Sequence, residues 1–264
     1  MKKQGLHFKM LLSALAASCF AIAPIASAVP LLINGGFELG FTGWTVTDQA
    51  GSGGTWLIQS GTGSPINGFP VQPPPEGNFA AMTDQVNGPG THILYQDFIV
   101  PTGTIGSATG SFQLYLNNQA DDYFTPPTLD YTAIENQQFR ADIITTSADV
   151  FSVAPGDVLQ NLYITMPGDP LEAGYFLVPA NLTALFQAHQ GETLRLRFAE
   201  VDNQFFFNAG VDAVSIDATA DNGNGNGNDV PEPASLALLL IGLAGVAAMR
   251  RRGACNIAAS TPAA

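Results

Sequence analysis

The chain has 264 residues, 46% of them hydrophobic, and 22 acidic residues outnumber nine basic ones for a formal charge of −13 at pH 7. Phosphate backbones are bound by neutralisation with lysine and arginine, so this balance argues against nucleic acid as a partner and favours cations. The only cysteines, Cys19 and Cys255, lie near the two ends, which leaves everything between them without a disulfide.

The first segment sets Lys2, Lys3 and Lys9 before an apolar run from Met10 to Ile25 and the small triplet Ala26-Ser27-Ala28. That layout predicts a secretory signal peptide over residues 1–28, cut by signal peptidase after Ala28, with Ala26 and Ala28 as the cleavage-site residues. Cys19 is a weak lipidation candidate, because the apolar core runs past it and no leucine stands three residues before it.

Residues 29–220 suit one exported domain large enough to bury a core. Residues 29–229 hold 21 acids against Arg140, Arg195 and Arg197, a formal balance of −18. Phe112, Leu114 and Leu116 alternate with Gln113, Tyr115 and Asn117, as on a half-buried strand. Similar runs at 55–59, 93–100, 139–144, 157–165, 193–201 and 211–218 predict an all-β sandwich. Pro70 to Asn78 is too proline-rich for a central strand and predicts an extended surface loop. Leu182, Leu185, Phe186 and His189 follow helical spacing, with Gly191 placed to close one short amphipathic helix.

Residues 221–229, "DNGNGNGND", alternate Asp and Asn with glycine but lack the terminal Glu of a helix-loop-helix calcium site, which predicts a flexible linker. A glycine-rich coil of that length spans about 15–18 Å. Ala234 to Met249 is apolar or small throughout and stops at Arg250, Arg251 and Arg252. As a helix this run covers roughly 24 Å, enough to span a membrane with modest local thinning, and the arginines belong on the cytoplasmic side. Residues 253–264 then form a short cytoplasmic extension.

The order Val230-Pro231-Glu232-Pro233, apolar segment, basic triplet Arg250 to Arg252 resembles the PEP-CTERM sorting signal, residues 230–252 here. The resemblance implies export in a Gram-negative bacterium, transient anchoring in the inner membrane, processing by an exosortase near Pro-Glu-Pro, and release to the cell surface or matrix. Members of that family usually end soon after the basic cluster, whereas this chain continues for 12 residues beyond Arg252.

"LLINGGFELGFTGWTV", Leu31 to Val46, is similar to the opening strand of galactose-binding-like jelly rolls, the fold of many carbohydrate-binding modules. Leu194 to Asp217 is similar to that fold's closing strands. The resemblance implies a jelly-roll β-sandwich with a structural calcium ion at Glu38 and Asp212. Calcium takes carboxylate and carbonyl oxygens, which suits such a pair.

No Gly-x-Ser-x-Gly elbow, phosphate loop or His-Glu-x-x-His helix occurs. After the leader only His92 and His189 remain, too few and too isolated in sequence to nominate a triad or a zinc site. The expectation is a non-enzymatic surface or matrix protein associated with exopolysaccharide. A glycan-binding module is the alternative, with Trp44, Trp56, Tyr95, Tyr115, Tyr123 and Phe124 as the aromatic candidates, although the motif around Trp44 implies that it is buried. A carbohydrate-active hydrolase stays open, but no acid spacing singles out a catalytic pair. Phe205 to Phe207 cannot all bury their rings on one strand face.

Overall fold

The computed structural model describes residues 28–86 and 88–220. The leader with Ala26, the linker, Val230 to Pro233, the apolar segment and Arg250 to Arg252 lie outside the described residues.

The described residues form eleven strands and one short helix in the order β1 (Val29–Pro30), β2 (Thr45–Asp48), β3 (Thr55–Ser60), β4 (Phe79–Asp84), β5 (Gly90–Ile99), β6 (Ile105–Asn118), β7 (Gln137–Thr145), β8 (Val158–Ile164), β9 (Glu172–Asn181), α1 (Thr183–Ala188), β10 (Thr193–Asp202) and β11 (Phe207–Ala220). One antiparallel sheet runs β3-β4-β11-β6-β9, with β1 against β11; the other runs β2-β5-β10-β7-β8. The result is the β-sandwich that the alternating runs predict, in keeping with the jelly roll that the resemblance implies.

The core lies between the sheets. Phe112, Leu114 and Leu116 meet Leu196, Phe198, Phe139 and Ile143 there, and Phe198 packs on Phe112 and Trp44. Burying side chains of this size contributes roughly 1.5–3 kcal/mol each, the main stabilising term in a domain without a disulfide.

The outer faces are not bare. Val71, Met82, Tyr115 and Tyr175 cluster outside the first sheet, beneath the proline-rich loop. Ile93, Ala199 and Val201 cluster outside the second, beneath Leu129, Tyr131 and Val150 to Val153. Arg197 pins that second cover: its guanidinium donates to the carbonyls of Val150 and Ser152 and to the buried Asp142 carboxylate.

One expectation changes. The stretch similar to an opening strand is largely turn from Leu32 to Gly43, and a strand begins only at Thr45. Glu38 therefore stands in a turn. The short helix that the spacing of Leu182, Leu185, Phe186 and His189 predicts is α1, with Leu182 and His189 as its two caps.

Candidate functional site

Each residue of "NGGFE" has a separate local task. Asn34 holds the turn together: its side-chain amide donates to the carbonyls of Gly40 and Thr42, and its oxygen accepts from Leu39 N–H. Gly35 lies against the neighbouring strand so closely that a Cβ there would sit 1.9 Å from the Val214 carbonyl oxygen. Phe37 is fully buried against Trp44. Glu38 is thereby delivered to the end of the proline-rich loop, where one carboxylate oxygen accepts the amides of Asn78 and Phe79 at 2.7 and 2.9 Å. Those bonds hold its carboxyl below the ordinary range.

Asp212 reaches the same loop from the opposite side. Asp212 still pairs with Gln113 in the β11–β6 ladder, and the bulge follows it before Ser215, with Ala213 at φ 49°. Its carboxylate accepts the amides of Glu76 at 3.1 Å and Ala213 at 2.7 Å. Burial, aided by the charges of Glu76 and Glu38, pushes its carboxyl up to about 7. A Cβ at Gly36 would stand at ordinary contact distance, 3.9 Å from Asp212 Oδ1 and 4.0 Å from Glu76 Oε2, so carboxylate oxygens of both residues lie beside this glycine.

The structure thus brings the two sequence-predicted residues to one loop and adds Glu76, which sequence reasoning missed. No ion pair among the described residues engages any of the three. Oxygen-only donors, net negative charge and no basic partner fit a hard dication.

The first sheet also carries a cleft of about 560 Å³ on its outer side. Pro70 to Pro73 form one wall, β9 from Glu172 to Gly174 the other, and Tyr115 to Asn117 line it from β6. Gln72 fixes the loop, accepting Tyr175 N–H and receiving Gln59 on its carbonyl. Burial raises the Tyr115 hydroxyl, a hydrogen bond with Asn117 works against this, and the Glu172 charge adds to it, so three polar groups converge in the cleft. Proline in the predicted surface loop thus marks a wall of this cleft.

Of the aromatic candidates, Trp44, Trp56, Tyr115 and Tyr123 are buried. Tyr95 lies under the Arg195 guanidinium at 4.1 Å, and Phe124 is half-buried. Phe205 is exposed, Phe206 stacks edge-on against Phe69, and Phe207 is buried, which divides the triple phenylalanine as its spacing requires. His189 ends α1 and meets Glu192 at 2.9 Å. His92 is not isolated: it is buried within reach of Glu200 and Asp202.

Comparison with known families finds a match over residues 229–252. Those residues carry a PEP-CTERM protein-sorting motif. The PEP-CTERM motif implies that the protein is exported, with a membrane-anchored C-terminal segment before processing. No curated protein matches the chain.

Solved structures similar to this chain include a Stig cyclase, Fisc, from Fischerella sp. TAU, at 14% identity over 74% of this chain and 100% of that one, TM-score 0.44. The K3 cleaved adhesin domain of Lys-gingipain from Porphyromonas gingivalis W83 is similar at 13% identity over 74% and 99%, TM-score 0.42. A carbohydrate-binding module, TmCBM61, solved with β-1,4-galactotriose, is similar at 11% identity over 71% and 97%, TM-score 0.36. At these scores the likenesses assign neither ligand nor activity; the sandwich is established by its own two sheets.

Proposed function

We propose that this protein is a non-enzymatic component of the cell surface or extracellular matrix that associates with exopolysaccharide through the cleft on its first sheet. The observation that carries the reading is the sorting motif together with an open, polar-lined cleft in the exported domain. Sugars are held by hydroxyl-directed polar groups beside apolar walls, and Asn117, Glu172 and the Tyr115 hydroxyl beside Pro70, Val71 and Pro73 supply both. Signal peptidase and an exosortase are the processing partners in this account.

A structural calcium held by Glu38 and Asp212, with Glu76 as a third donor, belongs to the same reading. The gathering of these carboxylates at one loop without a basic partner supports it.

Calorimetric titration of the full chain with the host's own exopolysaccharide tests the proposal. Saturable heat that falls about tenfold in affinity on Glu172→Ala or Asn117→Ala, roughly 1.4 kcal/mol each, supports a glycan-binding cleft. Silence from a folded protein removes glycan contact from the account.

A further inference from the structure

β10 sends Leu194, Leu196 and Phe198 into the core, and the same two-residue period carries Glu200 and Asp202 inward at the end of the strand. His92 on β5 is the register partner of Glu200, and Gly90 that of Asp202. His92, Glu200 and Asp202 are 1%, 0% and 0% exposed.

Buried polar atoms are nearly always paired. Here Nε2 of His92, both carboxylate oxygens of Glu200 and Oδ2 of Asp202 have no hydrogen-bond partner. Each neighbouring atom that is paired is held from outside the cluster: Nδ1 of His92 lies 2.7 Å from Oδ1 of Asp48, and Oδ1 of Asp202 accepts the Gly90 amide at 2.6 Å. The three side chains offer ligand atoms all within 4.8 Å of one another, the one such group among the described residues. No arginine among the described residues serves them, since Arg140 and Arg197 are committed to Asp142 and Arg195 to Asp97.

We propose that His92, Glu200 and Asp202 form an internal site for a divalent first-row transition-metal ion, with Zn²⁺ as its occupant. Calcium and magnesium take oxygen donors, whereas an imidazole with two carboxylates suits zinc. Zinc bonds to nitrogen and oxygen are about 2.0–2.2 Å, so two donors on one ion stand roughly 3–4 Å apart and the cluster needs only a small closure. Asp48 on the far nitrogen of His92 is the carboxylate–histidine–metal arrangement that fixes a ligand's ring and tautomer. Asp202, although itself buried, also borders a surface depression of about 340 Å³ beside Pro89 and Phe205, the side from which an ion would enter. Without metal, burial and the Asp202 and Asp48 charges push the Glu200 carboxyl well up, and burial pushes Asp202 up to about 9. A dication therefore displaces protons on binding. Such an ion ties β5 to β10, a cross-link in a domain that has no cysteine.

The test uses the full chain in detergent, stripped with chelator, dialysed and titrated with Zn²⁺. The melting temperature is expected to rise by about 5–10 °C at a hundredfold excess over Kd, with one zinc bound beyond that held by Glu200→Gln. X-ray absorption should show one imidazole on that zinc. Glu200→Gln and Asp202→Asn keep side-chain shape, so the metal-free variants should melt at or above wild type while losing the zinc response. Asp48→Asn, a positioning change, should weaken zinc about 10–100-fold at unchanged stoichiometry. A calcium-dependent shift that survives in Glu200→Gln belongs to a separate site. No zinc response in wild type, or equal responses in wild type and Glu200→Gln, would overturn the proposal.

Discussion

Nδ1 of His92 lies 2.7 Å from Oδ1 of Asp48, which leaves Nε2 as the ring's uncommitted nitrogen and ties the four-residue edge strand β2 to β5. Asp48 is the ring's one polar anchor among the described residues. Asp48→Ala strands both nitrogens of a buried imidazole, so it should cost about 1–3 kcal/mol in urea denaturation, with the m-value unchanged.

Asp142 carries a heavier structural duty. It is fully buried and receives Arg140 through two bonds of 2.7 and 3.0 Å, Asn161 at 2.8 Å, and Arg197. Removing one partner of a buried pair leaves charge without compensation, so Asp142→Ala should cost about 3–5 kcal/mol. It should also loosen the cover at Val150 to Ser152, read as faster amide exchange there. Asp97→Ala breaks the Arg195 pair at the exposed face and should cost less than about 1 kcal/mol.

Asp84 sets part of the acid limb of stability. Burial works to raise its carboxyl above the ordinary 3.8, but the amides of Asn67 and Ile66 and the side chains of Ser64 and Asn67 outweigh it, and the net direction is down. A lowered folded value means stability fully present above the unfolded value and lost as pH falls through the folded one. Asp84→Asn should therefore cost about 1–3 kcal/mol near pH 7, and its deficit relative to wild type should shrink below about pH 4. An undiminished deficit at pH 3 would contradict the assignment.

Much of the fold was legible because the core strands obey a two-residue period, as at Phe112, Leu114 and Leu116. β4, "FAAMTD", was not, since Ala80 and Ala81 are too small to mark a strand although both are fully buried. β9 hid behind Gly174 and Pro179, both admissible only because it is an edge strand. Glu38 and Asp212 were singled out through the resemblance, and the structure brings both to the loop at residues 76–79. Glu76 was not, because a proline-rich loop has no period to say which side chain turns inward. Glu200 and Asp202 did leave a signal: they continue the inward register of Leu194, Leu196 and Phe198, where a carboxylate has no business without a partner. His92 joins them only through strand pairing across 108 residues, which no local pattern reports.

The calcium account predicts that chelation lowers the melting temperature and that calcium restores it. Glu38→Gln and Asp212→Asn should abolish that calcium-dependent recovery while leaving the zinc response intact. Recovery by calcium at wild-type concentrations in both variants would remove these residues from the site.

The central claim, sorting through the PEP-CTERM motif to an extracellular destination, is tested most directly by the intact mass and C-terminal peptide of protein purified from its native host. The account predicts a chain that starts at Val29 and ends near Pro231. A mature chain that still carries residues 234–252 would leave a permanently anchored membrane protein and contradict it.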